Sequence, residues 1–136
     1  MVDKELVENR LLKLEQILRK LNDISKSDRE EFINSEALQD RAERNLQLAA
    51  QICIDIGNHI ISDEGYRSPS GYSDIFQVLK EEKILDDKLS ETMKKIAGFR
   101  NVLVHDYVEI DKDMVYSTLN NIYDFKKFAE KISKFL

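Results

Sequence analysis

The amino-acid sequence predicts an all-α protein, an antiparallel bundle of about five helices, and three observations carry that expectation. Apolar residues recur at steps of three and four along most of the chain, the period of a helix with one buried face. The 136 residues include one proline and four glycines, too few turn-formers for a sandwich of short strands. The periodic segments are long and the connections short, which is the pattern of helices that pack antiparallel to their neighbours.

Each element has its own signals. Leu6, Val7, Leu11, Leu14, Ile17, Leu18 and Leu21 define an amphipathic helix from about Lys4 to Ile24. Ser27, followed by Asp28, Glu30 and Glu31, is a capping pattern for a short helix or turn. Ser35 opens a long helix that carries Leu38, Ala42, Leu46, Ala49, Ile52, Cys53, Ile56 and Ile60 and ends near Ser62. Its later half, Leu48 to Ile61, is apolar on more than one face and belongs at the centre of the bundle. The stretch from Asp63 to Gly71 holds the only proline and two of the four glycines, and reads as a loop. Ser73 or Asp74 can cap a helix running to about Lys83, and Asp86 or Asp87 the next, with Leu89, Met93, Ile96, Ala97, Val102 and Leu103. Glu109 to Asp113 reads as a turn in which Asp111 caps a last helix, with Met114, Val115, Leu119, Ile122, Phe125, Phe128, Ala129 and Ile132 on its apolar face.

The length suits a single domain, residues 1–136, with one core. A chain that is 42% hydrophobic and 35% charged has the balance of a globular protein rather than a disordered one. The formal charge of −5 argues against broad, non-specific duplex DNA binding, which needs a wide basic surface. It leaves room for RNA, because a few cations gathered in one cleft can handle a phosphate. Cys53, the only cysteine, lies in the apolar run Ile52-Cys53-Ile54 and reads as a buried structural thiol. No run of about 18 apolar residues and no signal-peptide pattern is present, so the expected location is the cytoplasm, without a membrane partner.

Chemistry concentrates in Gly98-Phe99-Arg100-Asn101-Val102-Leu103-Val104-His105-Asp106-Tyr107. An arginine can grip a phosphate through two parallel hydrogen bonds and stabilise charge gathering on its oxygens. A histidine can take and return protons near neutral pH. Asn101 and Tyr107 offer neutral hydrogen bonds to phosphate or base. On an ideal helix, at about 100° per residue, Arg100 and Tyr107 share a face while His105 points about 140° away from Arg100. Either the helix loosens near His105 or two copies of the chain share one site; the second is preferred, because a two-fold interface also doubles the local arginines. The competing reading is a helix end whose polar residues cap carbonyls and form surface pairs.

Other clusters carry less. Asp55, His59 and Asp63 line one helical stripe but make a poor transition-metal set with a single imidazole, so no metal is expected. A role for Asp55 or His59 in facing the cleft and orienting Arg100 suits them better, beside the plain alternative of a polar edge on a buried helix. Lys126, Lys127, Lys131 and Lys134 read as a solvated helix face. Tyr66 and Tyr72 in the loop either anchor it to the bundle or stack on bases.

The string Arg100-x4-His105-x-Tyr107 resembles the Arg-x(4–6)-His signature of the HEPN ribonuclease superfamily, in the form characteristic of HepT-like toxins. The similarity extends to Ala37-Leu38-Gln39-Asp40-Arg41, the run Gln51 to His59, the proline loop leading into Tyr72, and Gly98 to Tyr107, in that order. The resemblance implies a HEPN-like bundle, a homodimer or higher even oligomer with its RNase site at the two-fold axis, and metal-independent endoribonuclease activity without a cofactor. Arg100 and His105 would be catalytic, with Asn101, Asp106, Tyr107 and Asp55 binding RNA or supporting the site. It also implies a partner, a minimal nucleotidyltransferase antitoxin that attaches AMP to Tyr107. The alternative is a non-catalytic interaction module that binds such a nucleotidyltransferase and serves as its substrate.

Overall fold

The computed structural model describes residues 1–105 and 109–136. Its elements are α1 (Lys4–Ser25), α2 (Arg29–Ile33), α3 (Glu36–Glu64), α4 (Tyr72–Glu81), α5 (Asp87–Val104), α6 (Lys112–Thr118), a 3₁₀ turn (Leu119–Asn121) and α7 (Ile122–Phe135). No strand occurs among the described residues. The antiparallel helical bundle expected from the periodicity is the fold observed.

Side-chain caps explain most helix starts. Asp3, Asp28, Ser35 and Asp86 accept hydrogen bonds from the backbone N–H of Leu6, Glu31, Leu38 and Leu89 at 2.7–3.2 Å, and Asp111 accepts from Asp113 N–H at 2.9 Å. Each such cap contributes on the order of 1 kcal/mol. Asp28, not Ser27, caps α2; the Ser27 hydroxyl instead donates to the Ile24 carbonyl as α1 closes. Neither Ser73 nor Asp74 caps α4, which starts at Tyr72 behind Gly71 without a side-chain cap. Both side chains are engaged elsewhere, Asp74 with Arg67 and Ser70, Ser73 with the Lys94 carbonyl.

The helix ends follow backbone conformation. Gly65, at φ 69°, terminates α3 with paired bonds from Gly65 N–H to Ser62 O and from Tyr66 N–H to Ile61 O. Lys83 plays the same part after α4, at φ 62° without being glycine, so that helix stops short of the expected Lys83. The expected continuous last helix is broken into α6 and α7. Thr118 Oγ1 donates back to the Met114 carbonyl at 2.7 Å, a bond that bends helices, and the poor helix-formers Asn120 and Asn121 follow.

α3 is the axis of the bundle and packs against all six other α-helices. Ala42, Leu46, Ala49, Cys53, Ile56 and Ile60 form its most buried stripe, and Ile52, Ile54 and Ile61 are buried beside it. This second apolar face is what the pattern from Leu48 to Ile61 required. Burial also pushes the Cys53 thiol pKa far up, which keeps it protonated and unreactive. Phe76 on α4 meets Phe128 on α7 edge to face, ring centres 5.8 Å apart, and truncating either to alanine would cost about 3–5 kcal/mol.

Three polar ties fix the helices around this core. Buried Gln39 donates through Nε2 to the carbonyls of Phe32 and Ile33, both at 2.9 Å, satisfying the end of α2. Buried Ser90 donates to the Phe76 carbonyl at 3.1 Å and locks α5 to α4. Tyr116 donates to the Ser27 carbonyl at 3.1 Å, and Arg29 pairs with Asp113, which together hold α6 against the start of α2.

Candidate functional site

Arg100 lies just before the last turn of α5, Asn101 begins that turn, and His105 follows as the C-cap. The helix does not run straight through the motif. His105 has φ −84° and ψ 98°, an extended conformation, so the backbone leaves the helix at that residue. The extended ψ redirects the backbone beyond His105, whereas its φ stays close to the helical value, so the divergence of His105 from Arg100 persists within one chain. Asp106 and Tyr107 lie outside the described residues.

The Arg100 guanidinium is half-buried. Its Cζ stands 5.2 Å from the centre of the Tyr72 ring, and one terminal nitrogen donates to Asn101 Oδ1 at 3.3 Å. Its Nε is buried and finds no acceptor among the described residues. A buried cationic donor without an acceptor is costly, and an incoming phosphate oxygen would relieve that cost.

Next to it is an open cavity of about 430 Å³ at the start of α4, walled by Tyr72, Ser73, Gln77, Lys94 and Asn101. The cavity is shallow, and its lining is mostly hydrogen-bonding groups, the Asp74 carboxylate among them. A larger cavity, about 680 Å³, runs between α1 and α7 along Leu11, Leu12, Leu18 and Ala129. It contains none of the motif residues, so chemistry rather than volume identifies the site.

A charged clamp supports the cavity wall. Arg67, in the loop after α3, donates to both Asp74 carboxylate oxygens at 2.8 and 2.9 Å and to both Glu81 oxygens at 2.8 and 2.9 Å. These hydrogen bonds raise the Arg67 pKa and hold Asp74 well below the usual carboxylate range, with Ser70 N–H assisting; they lower Glu81 as well. Lys94 donates to Gln77 Oε1 at 2.5 Å and to Glu91 at 2.8 Å, and the latter bond lowers the Glu91 pKa.

The remaining candidates distribute unevenly. Asp55 is half-buried and accepts from Gln51 Nε2 at 2.9 Å. His59 is half-buried on the same stripe, while Asp63 accepts from the Asp3 N–H. Tyr66 packs against the core and anchors the loop, whereas Tyr72 remains 41% exposed beside Arg100. Sequence reasoning missed the Arg67 clamp and the Tyr72–Arg100 contact. The clamp left one legible trace, the two carboxylates Asp74 and Glu81 seven residues apart on one face of α4.

The site thus has an arginine and a histidine near the end of one helix, beside a polar cavity in an antiparallel bundle, and the class of helical protein follows from comparison with known proteins. The chain belongs to the HepT-like family: the family model described as "Ribonuclease HepT-like" matches residues 14–132. It is 30% identical over 129 residues to the mRNA nuclease HepT of Shewanella oneidensis, covering 94% of this chain and 96% of that one. With the tRNA nuclease HepT of Aphanizomenon flos-aquae it shares 28% identity over 138 residues, 99% of this chain and 92% of that one. Its fold matches the tri-AMPylated HEPN toxin of Shewanella oneidensis, solved in complex with the MNT antitoxin, with a TM-score of 0.88 and 30% identity over 98% of this chain and 99% of that one. No helix among the described residues is long and apolar enough to cross a membrane.

Proposed function

We propose that this chain is a metal-independent endoribonuclease toxin of the cytoplasm, that it cuts RNA with Arg100 and His105, and that a nucleotidyltransferase antitoxin silences it by attaching AMP to Tyr107. The observation that carries the reading is the half-buried Arg100 guanidinium, whose Nε lacks an acceptor among the described residues, five residues before a histidine that has left the helix. Family membership supports the reaction class, and the named relatives support RNA as substrate and the antitoxin as partner.

The reaction needs few parts. The RNA 2′-hydroxyl attacks the adjacent phosphorus, the O2′–P bond forms, and the P–O5′ bond breaks to leave a 2′,3′-cyclic phosphate and a 5′-hydroxyl. His105 moves protons in this exchange, between the attacking 2′-oxygen and the departing 5′-oxygen. Arg100 binds the non-bridging oxygens as charge accumulates on them, a contribution that strengthens in the transition state. Asn101 and the cavity beside it receive the flanking nucleotide, and Asp106 and Asp55 support the site. The active unit is a homodimer, or a higher even oligomer, with α5 ends meeting at the two-fold axis. Support for that arrangement comes from α5 itself, where Val102 and Val104 are 37% and 36% exposed and open space surrounds Gly98.

Purified protein incubated with single-stranded RNA in EDTA tests the proposal. Cleavage into products with cyclic phosphate ends is expected, and Arg100→Ala and His105→Ala should each abolish it with helical content unchanged. Cleavage at the parent rate by both variants, or efficient cutting at a 2′-deoxy position, would remove the motif or the nucleophile from the mechanism.

A further inference from the structure

We infer that Tyr72 is a positioning residue for RNA cleavage, its ring face holding the Arg100 guanidinium in the orientation that meets the phosphate; the inference rests on the role proposed for Arg100. Among the described residues Arg100 makes no ion pair. Among those residues it meets the Tyr72 ring at 5.2 Å and makes the long hydrogen bond to Asn101.

The kind of contact matters. A carboxylate would fix the guanidinium by occupying two of its N–H groups and cancelling its charge. An aromatic face attracts the same cation through its quadrupole and leaves the N–H groups at the guanidinium edge available for phosphate oxygens. A ring is thus the partner that orients this arginine without competing with the substrate.

Tyr72 is itself held in place. It is the first residue of α4, behind Gly71. Two residues further on, Asp74 is gripped by Arg67 and by the Ser70 N–H at 2.9 Å. Between them, the Ser73 hydroxyl donates to the Lys94 carbonyl at 3.3 Å and ties the first turn of α4 to α5, the helix that carries Arg100. The loop, α4 and α5 therefore fix both members of the contact, whereas one hydrogen bond to a neighbouring asparagine would leave a long side chain free to rotate.

The test compares Tyr72→Phe, Tyr72→Leu and Tyr72→Gln with the parent and with Arg100→Ala, in steady-state cleavage of one single-stranded RNA. Thermal melting of each variant checks folding, and the exposed Tyr72→Gln serves if the leucine variant melts early. Tyr72→Phe keeps the ring and should retain activity to within about twofold. Tyr72→Leu and Tyr72→Gln should lower kcat about tenfold or more with KM little changed, the signature of a displaced transition-state contact. Parent-like kcat in both ringless variants overturns the inference. So does a rise in KM alone, which would make the ring a base-stacking platform, or a loss in Tyr72→Phe equal to that in Tyr72→Leu, which would assign the effect to the hydroxyl. Activity in Arg100→Ala would instead overturn the proposed site, so the two failures are distinguishable.

Discussion

Gly57 on α3 faces Ile75 on α4 so closely that a β-carbon at Gly57 would lie 2.5 Å from Ile75 Cγ2. That distance is well inside van der Waals contact, and Leu79 closes the other side at 3.4 Å. Helix propensity alone favours alanine over glycine here, by about 0.5–1 kcal/mol. Packing decides otherwise, because Ile75 is buried and β-branched and cannot easily turn aside.

The expected outcome for Gly57→Ala is a net loss of about 1–2 kcal/mol, since overpacking of a filled core costs about 1–3 kcal/mol. Thermal denaturation should show a drop of several degrees. An unchanged or higher Tm would mean that α4 shifts without strain.

The Arg67 clamp gives a pH-dependent signature. Its hydrogen bonds depress the pKa values of Asp74 and Glu81, whose ordinary values are 3.8 and 4.5. A depressed carboxylate contributes stability that is fully present above its ordinary pKa and is lost as pH falls through the lowered one. Arg67→Ala should therefore melt below the parent at pH 7, and the gap should narrow as pH falls below about 4. Arg67 and Glu81 are solvent-exposed, so their share of the gap should also shrink in high salt, while that of half-buried Asp74 should be screened less. A Tm difference that stays constant from pH 7 to pH 2 would contradict the clamp.

Tyr107→Phe tests the control point. Without the phenolic oxygen no AMP can be attached there, so the variant should escape modification by a nucleotidyltransferase supplied with ATP and magnesium, and remain toxic beside it. On the parent, the added phosphodiester should pair with Arg100 and block RNA. Intact-mass and peptide analysis reads the outcome. Modification on another residue alone, or full cleavage by protein carrying AMP on Tyr107, would sink this assignment.

The proposed dimer predicts a solution mass of twice the chain mass or a higher even multiple. Mixing Arg100→Ala with His105→Ala chains should restore cleavage if each site draws one group from each copy. A stable, fully active monomer would end the shared-site model.

How much of this was legible in the sequence follows from the range of the forces involved. Period and capping are local, so the long axis of α3 and its start at Ser35 could be read directly from neighbouring residues, and the start of α5 narrowed to Asp86 or Asp87, of which Asp86 is the cap. The Arg-x4-His-x-Tyr string was equally plain. The clamp was not, because Arg67 reaches Glu81 fourteen residues along the chain, across a loop whose path no local signal sets. Tyr72 was read as a loop tyrosine that anchors or stacks, and nothing nearby in sequence indicated Arg100, which reaches it from α5. The break between α6 and α7 was overlooked because the apolar period continues through it, while a threonine back-bond and two asparagines loosen the backbone.

The exit of His105 from α5 bears on how tightly the motif must be spaced. Along an α-helix each added residue rotates everything beyond it by about 100°, so a pair fixed on one helix tolerates almost no change in separation. Extended backbone obeys a different rule: an extra residue adds reach, up to about 3.3–3.6 Å, and little compulsory rotation of what precedes it. All four residues between Arg100 and His105 are helical and the backbone turns extended only at His105 itself, so this interval is an angular register. One residue inserted there would swing the histidine about 100° around the helix axis. The arginine–histidine spacing is thus set by the helix that ends on the histidine, and reach without rotation is gained only past it.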